Sequence, residues 1–255
     1  TCEYGRTGRY NICPGVDFMA TQPNYKGALT QYMTHPEEWT YHIPEGMTTM
    51  EGALVEPAAV GMHAAVLGGA QPGKSIVILG GGTIGLMVLQ ACISLGATDI
   101  TVVDVIEKRL ELAKKLGAAR VINGKEEDTV AVLRSEEMYG DHGVDLVFEA
   151  AGAVFTAQQA VQIVSRGGKI MMVGTQSKPV PIDFLKINRE VTIQTSFRYC
   201  NNFPQTIEAI SSGRFNVKDM VTNIYDYEDV QKAFEEAIDP VKKTEMVKGV
   251  IKVAE

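Results

Sequence analysis

The stretch with the clearest chemical potential in this chain is SIVILGGGTIGLMVLQ, residues 75–90. An apolar, β-branched run ends at Leu79, glycines follow at 80, 82 and 85, and an apolar run of helical spacing starts at Thr83 and Ile84. Each glycine has a mechanical role: Gly80 permits a tight turn, Gly82 lets the backbone approach a bulky anion, and Gly85 lets a helix pack closely on a strand. The start of that helix offers unpaired backbone N–H groups and the positive end of a dipole, which suit a pyrophosphate. A glycine-rich turn alone can be merely a turn. Here, however, a second β-like run, DITVVD, ends on Asp104, about 20 residues beyond the last glycine, where a carboxylate can accept hydrogen bonds from a ribose. Strand, glycines, helix, strand and acid thus fall in the order of a dinucleotide-binding unit. The charge of Asp104 repels a ribose 2′-phosphate, and Val105 and Ile106 supply no cation to hold one, so NAD is expected rather than NADP. Arg109, one turn into the next helical stretch, has two readings: it flanks the adenine, or it is a solvated partner of Glu107 or Glu111.

These residues must be positioned by the elements around them. SIVIL, DITVVD, ARVIN, VDLVFEA, GKIMMVG and VTIQTS are six short runs rich in β-branched residues, mostly separated by helical stretches. The alternation predicts an α/β fold: a doubly wound, six-stranded parallel sheet of Rossmann type, covered on both faces. TIGLMVLQACISLGA and EKRLELAKKLGA carry apolar residues at helical spacing, with Gly at or near the end of each. Residues 1 to about 60 have another texture, with PGVDF, TQPNYKG, HIPEGM and short apolar runs such as ALTQYMT, and predict loops and short strands. After residue 200 the pattern predicts helices around PQTIEAISSG and YEDVQKAFEEAID and a final strand, VKGVIKVA. The expected division is 1–60, 61–197 and 198–255.

At 255 residues and 45% hydrophobic, the chain can bury a large core. A net charge of −7 with no compensating basic run argues against nucleic acid as a partner. No apolar run approaches the roughly 20 residues of a membrane span, and no leader-like start is present, so a cytoplasmic protein is expected. The four cysteines are too few and too scattered for a disulfide framework, which fits a reducing compartment.

ALVEPAAVGMHA, the glycine fingerprint, VVD and FRYCNN, taken with CEYGRTGRYNICPGVDFMATQPNYKGALTQY, resemble the zinc-dependent medium-chain dehydrogenases, and within them the sorbitol (polyol) dehydrogenases. The resemblance runs essentially end to end. It implies that residues 61–197 form the Rossmann NAD-binding domain, and that 1–60 and 198–255 belong to a GroES-like catalytic domain present in part. It further implies zinc-assisted, NAD-dependent oxidation of a polyol to a ketose by a homotetramer.

In that family the catalytic zinc is held by a Cys and a His-Glu pair that precede the cysteine-rich lobe where this chain starts, so those ligands are expected to be absent here. The four histidines, His35, His42, His63 and His142, have no nearby Cys at ligand spacing, and His63 reads as a core or near-core residue. The remaining zinc-site element is Glu56, implied to approach the metal directly or through its water. A carboxylate in an apolar run is costly to bury unless paired or metal-linked, which favours that role over the alternative of an incidental surface Glu. The family's structural zinc takes four lobe cysteines. Cys2 and Cys13 align with two of them and Gly5 replaces another, which implies a lobe that has lost this zinc, since two thiolates cannot close a tetrahedral site. A Cys2–Cys13 disulfide is the weaker alternative in a reducing compartment.

By the same resemblance Arg198 and Tyr199 bind substrate hydroxyls; the alternative is an Arg that neutralises a carboxylate near the domain junction. Phe197 and the turn Val173, Gly174, Thr175 are implied to border the nicotinamide, at the carboxyl ends of parallel strands. A zinc-free quinone or enoyl reductase of the same superfamily is a second reading, against which Glu56-Pro57 and Arg198-Tyr199 speak. A non-catalytic NAD-binding or assembly module is a third.

Overall fold

The computed structural model describes residues 2–21 and 27–253. The 22–26 part of the turn-rich TQPNYKG stretch lies outside the described residues, as does Ala254 at the end of the expected final strand. Ahead of the sheet come α1 (Glu3–Arg6), two 3-10 turns (Tyr10–Ile12 and Glu37–Trp39) and α2 (Thr49–Gly68). Strands and helices then alternate through β1 (Ser75–Leu79), α3 (Thr83–Ser94), β2 (Asp99–Asp104), α4 (Glu107–Lys115), β3 (Arg120–Asn123), α5 (Thr129–Leu133), β4 (Val144–Glu149), α6 (Val154–Ile163), β5 (Val164–Met172) and β6 (Thr192–Thr195). The chain closes with α7 (Phe203–Ser211), β7 (Val221–Asp226), α8 (Val230–Ile238), α9 (Lys242–Glu245) and β8 (Lys248–Lys252).

The six expected runs form one sheet in the order β3-β2-β1-β4-β5-β6, with every neighbouring pair parallel. Successive side chains feed opposite faces. Ile76, Ile78, Ile100, Val102, Leu146 and Phe148 join a core with α2 and α3, whereas Val77, Leu79, Val103, Ile122, Val147 and Ile170 join a second core with α5 and α6. Burial on both faces explains why the strands read as continuous apolar runs and not as alternating ones. Pairing in register sets Leu79 against both Val103 and Glu149, so the carboxyl ends of β2, β1 and β4 lie level.

Two sequence expectations are corrected outside the sheet. No described residue before α2 is in a strand; that region holds turns, the short α1 and the 3-10 turns. Its apolar runs find no neighbouring extended segment, and a strand exists only through pairing. In the C-terminal part the final strand forms as β8, but it pairs in parallel with β7, which periodicity did not predict because VTNIYD is largely half-buried or exposed.

Helix α2 runs unbroken through the change of texture near residue 60. It begins with a capping box: the Thr48 N–H donates to Glu51 Oε2 at 2.8 Å, and the Glu51 N–H donates to Thr48 Oγ1 at 3.2 Å. It ends at Gly69 with φ +77°, in the left-handed C-cap geometry. Its packing on α3 is close enough that a Cβ at Gly61 would come within 2.5 Å of the Met87 carbonyl carbon and 2.8 Å of the Val88 nitrogen. Among the described residues no helix is long and apolar enough to cross a membrane. Because the obstacle at Gly61 is backbone, Gly61→Ala is expected to lower stability by about 1–3 kcal/mol in urea denaturation, the usual range for overpacking. An unchanged midpoint would show that the two helices can slide apart freely.

Candidate cofactor and substrate site

At the carboxyl edge of the sheet the fingerprint glycines separate into two kinds. Gly80 has φ +108°, and a Cβ there would lie 2.8 Å from the Ala151 nitrogen; a Cβ at Gly85 would overlap the Gly80 carbonyl oxygen. Protein packing therefore explains both. Gly82 differs, since a Cβ there would meet only Arg109 Nη1, at 3.9 Å. It is the N-cap of α3 and has no side-chain cap, so the first N–H groups of the helix face that opening. Thr83 turns its hydroxyl away, donating to the Val247 carbonyl, while Ile84 is half-buried.

Asp104 sits beneath this turn with only 9% of its surface exposed. Its Oδ2 accepts the Gly81 N–H at 2.7 Å, and its Oδ1 accepts the N–H groups of Val105 and Ile106 at 2.8 and 2.9 Å. Arg109 pairs neither with Glu107 nor with Glu111. Its Nη1 lies 3.7 Å from Asp104 Oδ2, and its Nη2 donates to the Lys243 carbonyl at 3.3 Å. Its Nε is buried without a partner. The guanidinium thus borders both the expected ribose-binding carboxylate and the open space at Gly82.

A second carboxylate, which sequence reasoning missed, mirrors Asp104 on the other side of β1. Glu149 ends β4 and is fully buried. Its Oε1 accepts the N–H groups of Ala151 and Gly152 at 3.0 and 2.9 Å and the Thr156 hydroxyl at 2.7 Å; its Oε2 accepts the Gln176 amide at 2.6 Å. The available signal was parity: VDLVFE, like DITVVD, is an apolar strand that ends on an acid. Val173 and Gly174 both donate their N–H to the Glu149 carbonyl at 2.8 Å. A Cβ at Gly152 would come within 2.6 Å of the Thr175 carbonyl oxygen, so the turn Val173–Gly174–Thr175 lies directly against the turn after β4. Gln176 Oε1 and Ser196 Oγ, like Arg109 Nε, are buried without partners. All three orphaned atoms follow carboxyl ends of strands or border the glycine turn. With the open space at Gly82, they are what an extended polar ligand along this edge would use, and the residues present fit a dinucleotide.

Beyond β6 the chain enters the sharp segment Phe197–Asn202, with left-handed φ values of +51° at Arg198 and +58° at Asn201. The N-terminal lobe grips this segment. Asn11 Nδ2 donates to the Phe197 carbonyl at 2.9 Å, Asn201 donates its backbone N–H to Tyr10 Oη at 2.8 Å, and the Cys200 thiol donates to the Gly8 carbonyl at 2.8 Å. The Arg198 guanidinium lies 4.0 Å from the centre of the Phe18 ring and 5.7 Å from that of Phe197, so its charge rests on aromatic faces. Tyr199 packs edge-on against Phe18 and Phe203. Burial and then the neighbouring charge of Glu56 push its phenol above the usual range, so it remains a hydrogen-bond donor. The structure therefore brings Glu56, Arg198 and Tyr199 together. Glu56 itself is exposed, not buried as its apolar sequence context suggested, because position 56 falls on the open face of α2 while Leu54, Val55, Ala58 and Ala59 fill the core.

The metal expectations divide similarly. Cys2 and Cys13 are free thiols with sulfurs 2.8 Å apart. The Cys13 contact, then the Gly5 N–H, hold Cys2 below the usual thiol range, and the same contact raises Cys13. His35 contacts Thr40, His142 contacts Asp145, His42 is exposed, and His63 is half-buried between asparagines. Among the described residues no three His, Cys, Asp or Glu side chains converge as a metal site. The donor set present does not fit a catalytic zinc, for which Glu56 alone is insufficient.

Comparison with known proteins agrees with this geometry. A family model described as "Zinc-binding dehydrogenase" matches residues 83–212. The chain is 63% identical over 254 residues to an uncharacterized zinc-type alcohol dehydrogenase-like protein, YdjJ, of Escherichia coli, covering 100% of this chain and 72% of that one. It is 40% identical over 240 residues to the sorbitol dehydrogenase of Bacillus subtilis, covering 93% of this chain and 67% of that one. A crystal structure of an E. coli oxidoreductase/dehydrogenase of unknown specificity superposes with a TM-score of 0.96 at 62% identity, covering 100% of this chain and 72% of that chain. The glycine turn with its paired strand-end acids, the segment after β6 and these relatives converge: this chain belongs to the zinc-binding dehydrogenase family of oxidoreductases.

Proposed function

We propose that this chain carries the cofactor and substrate grips of an NAD-dependent dehydrogenase that oxidises a secondary alcohol of a polyol to a ketone. The observation that carries the reading is the placement of two unlike sites along one sheet edge. The glycine turn follows β1, and the Arg198–Tyr199 segment follows β6, three strands away in the sheet. At roughly 4.8 Å per strand that is about 14 Å, a span suited to an extended dinucleotide.

The bound nicotinamide would supply the hydride acceptor. The chain's own residues hold and orient. The open N-terminus of α3 receives the pyrophosphate, and Asp104 accepts an adenosine ribose hydroxyl on the Oδ2 lone pair that its three backbone donors leave free. The turn Val173–Gly174–Thr175 and Phe197 border the nicotinamide. Arg198 offers five N–H donors and Tyr199 a protonated phenol to a hydroxylated chain, with the exposed Glu56 carboxylate beside them as an acceptor. Sorbitol is the substrate favoured by the likeness to the B. subtilis enzyme.

Asp104→Ala is expected to weaken NAD roughly 10- to 100-fold, the scale of hydrogen bonds to a charged group, and to weaken NADP less because repulsion of the 2′-phosphate is relieved. Fluorescence titration with NADH and NADPH reads this directly. Equal losses would show that Asp104 does not read the ribose. In a chain completed to the length of its relatives, Arg198→Ala is expected to raise the KM for sorbitol by about 10-fold or more while the KM for NAD stays put. A rise confined to NAD would move Arg198 to the cofactor site, and wild-type protein unable to oxidise any polyol would overturn the proposed substrate class.

A further inference from the structure

His63 lies on α2 seven positions after Glu56 and joins three distant parts of the chain. Its Nδ1 is 2.9 Å from Asn202 Oδ1, and that same oxygen accepts the Cys200 N–H at 3.1 Å. The Asn202 atom facing the ring is thereby fixed as an oxygen, so Nδ1 of the imidazole carries the proton. The other ring nitrogen, Nε2, is then a bare acceptor, and it faces Asn11 Nδ2 at 3.5 Å. That amide also donates to the Phe197 carbonyl, at 2.9 Å. Asn11 and Asn202 are both buried, so neither has water as a ready substitute for these bonds. Burial holds the His63 imidazole below its usual pKa, against the opposing pull of Asn202, which keeps it neutral as the chain of bonds requires.

We propose that His63, Asn11 and Asn202 form a directional clamp on both ends of the Phe197–Cys200 segment and act as positioning residues for Arg198 and Tyr199. The proposal rests on the reading that those two side chains face the substrate. The segment needs such a clamp because Arg198 and Asn201 are held at left-handed φ, a conformation that non-glycine residues keep only when their surroundings impose it. The lobe contacts of Gly8 and Tyr10 hold the Cys200–Asn201 end from one side. The asparagine–histidine chain ties the Phe197 carbonyl and the Cys200 N–H to the same helix that carries Glu56. One ring with a donor on one side and an acceptor on the other spans that gap, so Asn11, α2 and the start of α7 move as a unit with the substrate-facing residues.

Three readouts test the clamp. Ring 15N spectra of the wild-type chain should show His63 as the Nδ1–H tautomer, the less common form of a free imidazole side chain. In His63→Leu, which removes donor and acceptor together, amide hydrogen exchange in a peptide spanning 197–202 should accelerate roughly tenfold or more, while peptides from β1 through β4 stay protected. His63→Asn, which can keep a donor toward Asn202, should recover part of that protection. In a chain completed to the relatives' length, His63→Leu should raise the sorbitol KM with the NAD KM unchanged, and His63→Asn should fall between. An Nε2–H tautomer, unchanged exchange at 197–202, or a parallel rise of both KM values would overturn the proposal. If the wild-type protein oxidises no polyol, the functional reading fails on its own, and tautomer and exchange still decide the clamp.

Discussion

Two buried carboxylates, each ending a strand that flanks β1, set the geometry of the ligand-facing edge. Where a parallel strand turns into a helix, backbone N–H groups emerge with no ladder partner, and leaving them buried and unpaired is costly. Asp104 takes one such N–H group from the turn after β1 and two from that after β2, and Glu149 takes two from the turn after β4. Each anion in turn is tolerable in a buried position only because those donors surround it. Through Asp104 the exchange fixes the turns after β1 and β2 relative to each other, and through Glu149 it ties the turn after β4 to Gln176 beyond β5. It also leaves Gly82 facing an opening that no protein atom fills closely.

The symmetry of the two acids is not complete, and the difference is informative. Asp104 has a cation within reach, in Arg109, and neighbours the open space at the glycine turn. Glu149 is bonded by the Thr156 hydroxyl and the Gln176 amide in addition to backbone, and it backs the turn at Gly174. The first is an acid bordering the open space at the glycine turn; the second is an acid directed inward. A strand that ends on an acid therefore does not itself mark a ligand contact. The partners of the acid decide which role it has.

This distinction also explains what was legible in the sequence. The six strands, their parallel sense and the glycine turn could be read because they depend on local pattern: apolar β-branched runs, helical spacing and Gly at fixed offsets. Asp104 could be found because its offset from Gly85 is fixed by the length of one β-α-β unit. Glu149 was passed over since no equivalent offset points to it. The exposure of Glu56 was misjudged for a related reason. Its flanking residues are apolar, but helix α2 is buried on a broad face, and only the three-dimensional packing tells which positions, Ala53, Glu56 and Val66 among them, escape it. β7 could not be read because its pairing partners lie 26 or 27 positions later and its own alternation is weak. The contacts that shape residues 197–202 were illegible for the same reason, being made by Gly8, Tyr10, Asn11 and His63.

The two halves of the site accordingly depend on the fold in different ways. Around the glycine turn, short connections, Asp104 to Gly81 across 23 positions and Glu149 to Gly152 across 3, stand beside long ones, Thr83 to Val247 across 164 and Arg109 to Lys243 across 134. The segment after β6 is closed by connections of 139 to 193 positions, through His63, Asn11, Gly8 and Tyr10. Such contacts require the lobe, α2 and the segment after β6 to be docked at the same time, and they are the first to be lost in any partial opening. The left-handed backbone at Arg198 and Asn201 sharpens this dependence, because a segment held in an unfavoured conformation relaxes when its clamps release. Order in the segment after β6 is thus a property of the whole chain, because these bonds join parts far apart in sequence.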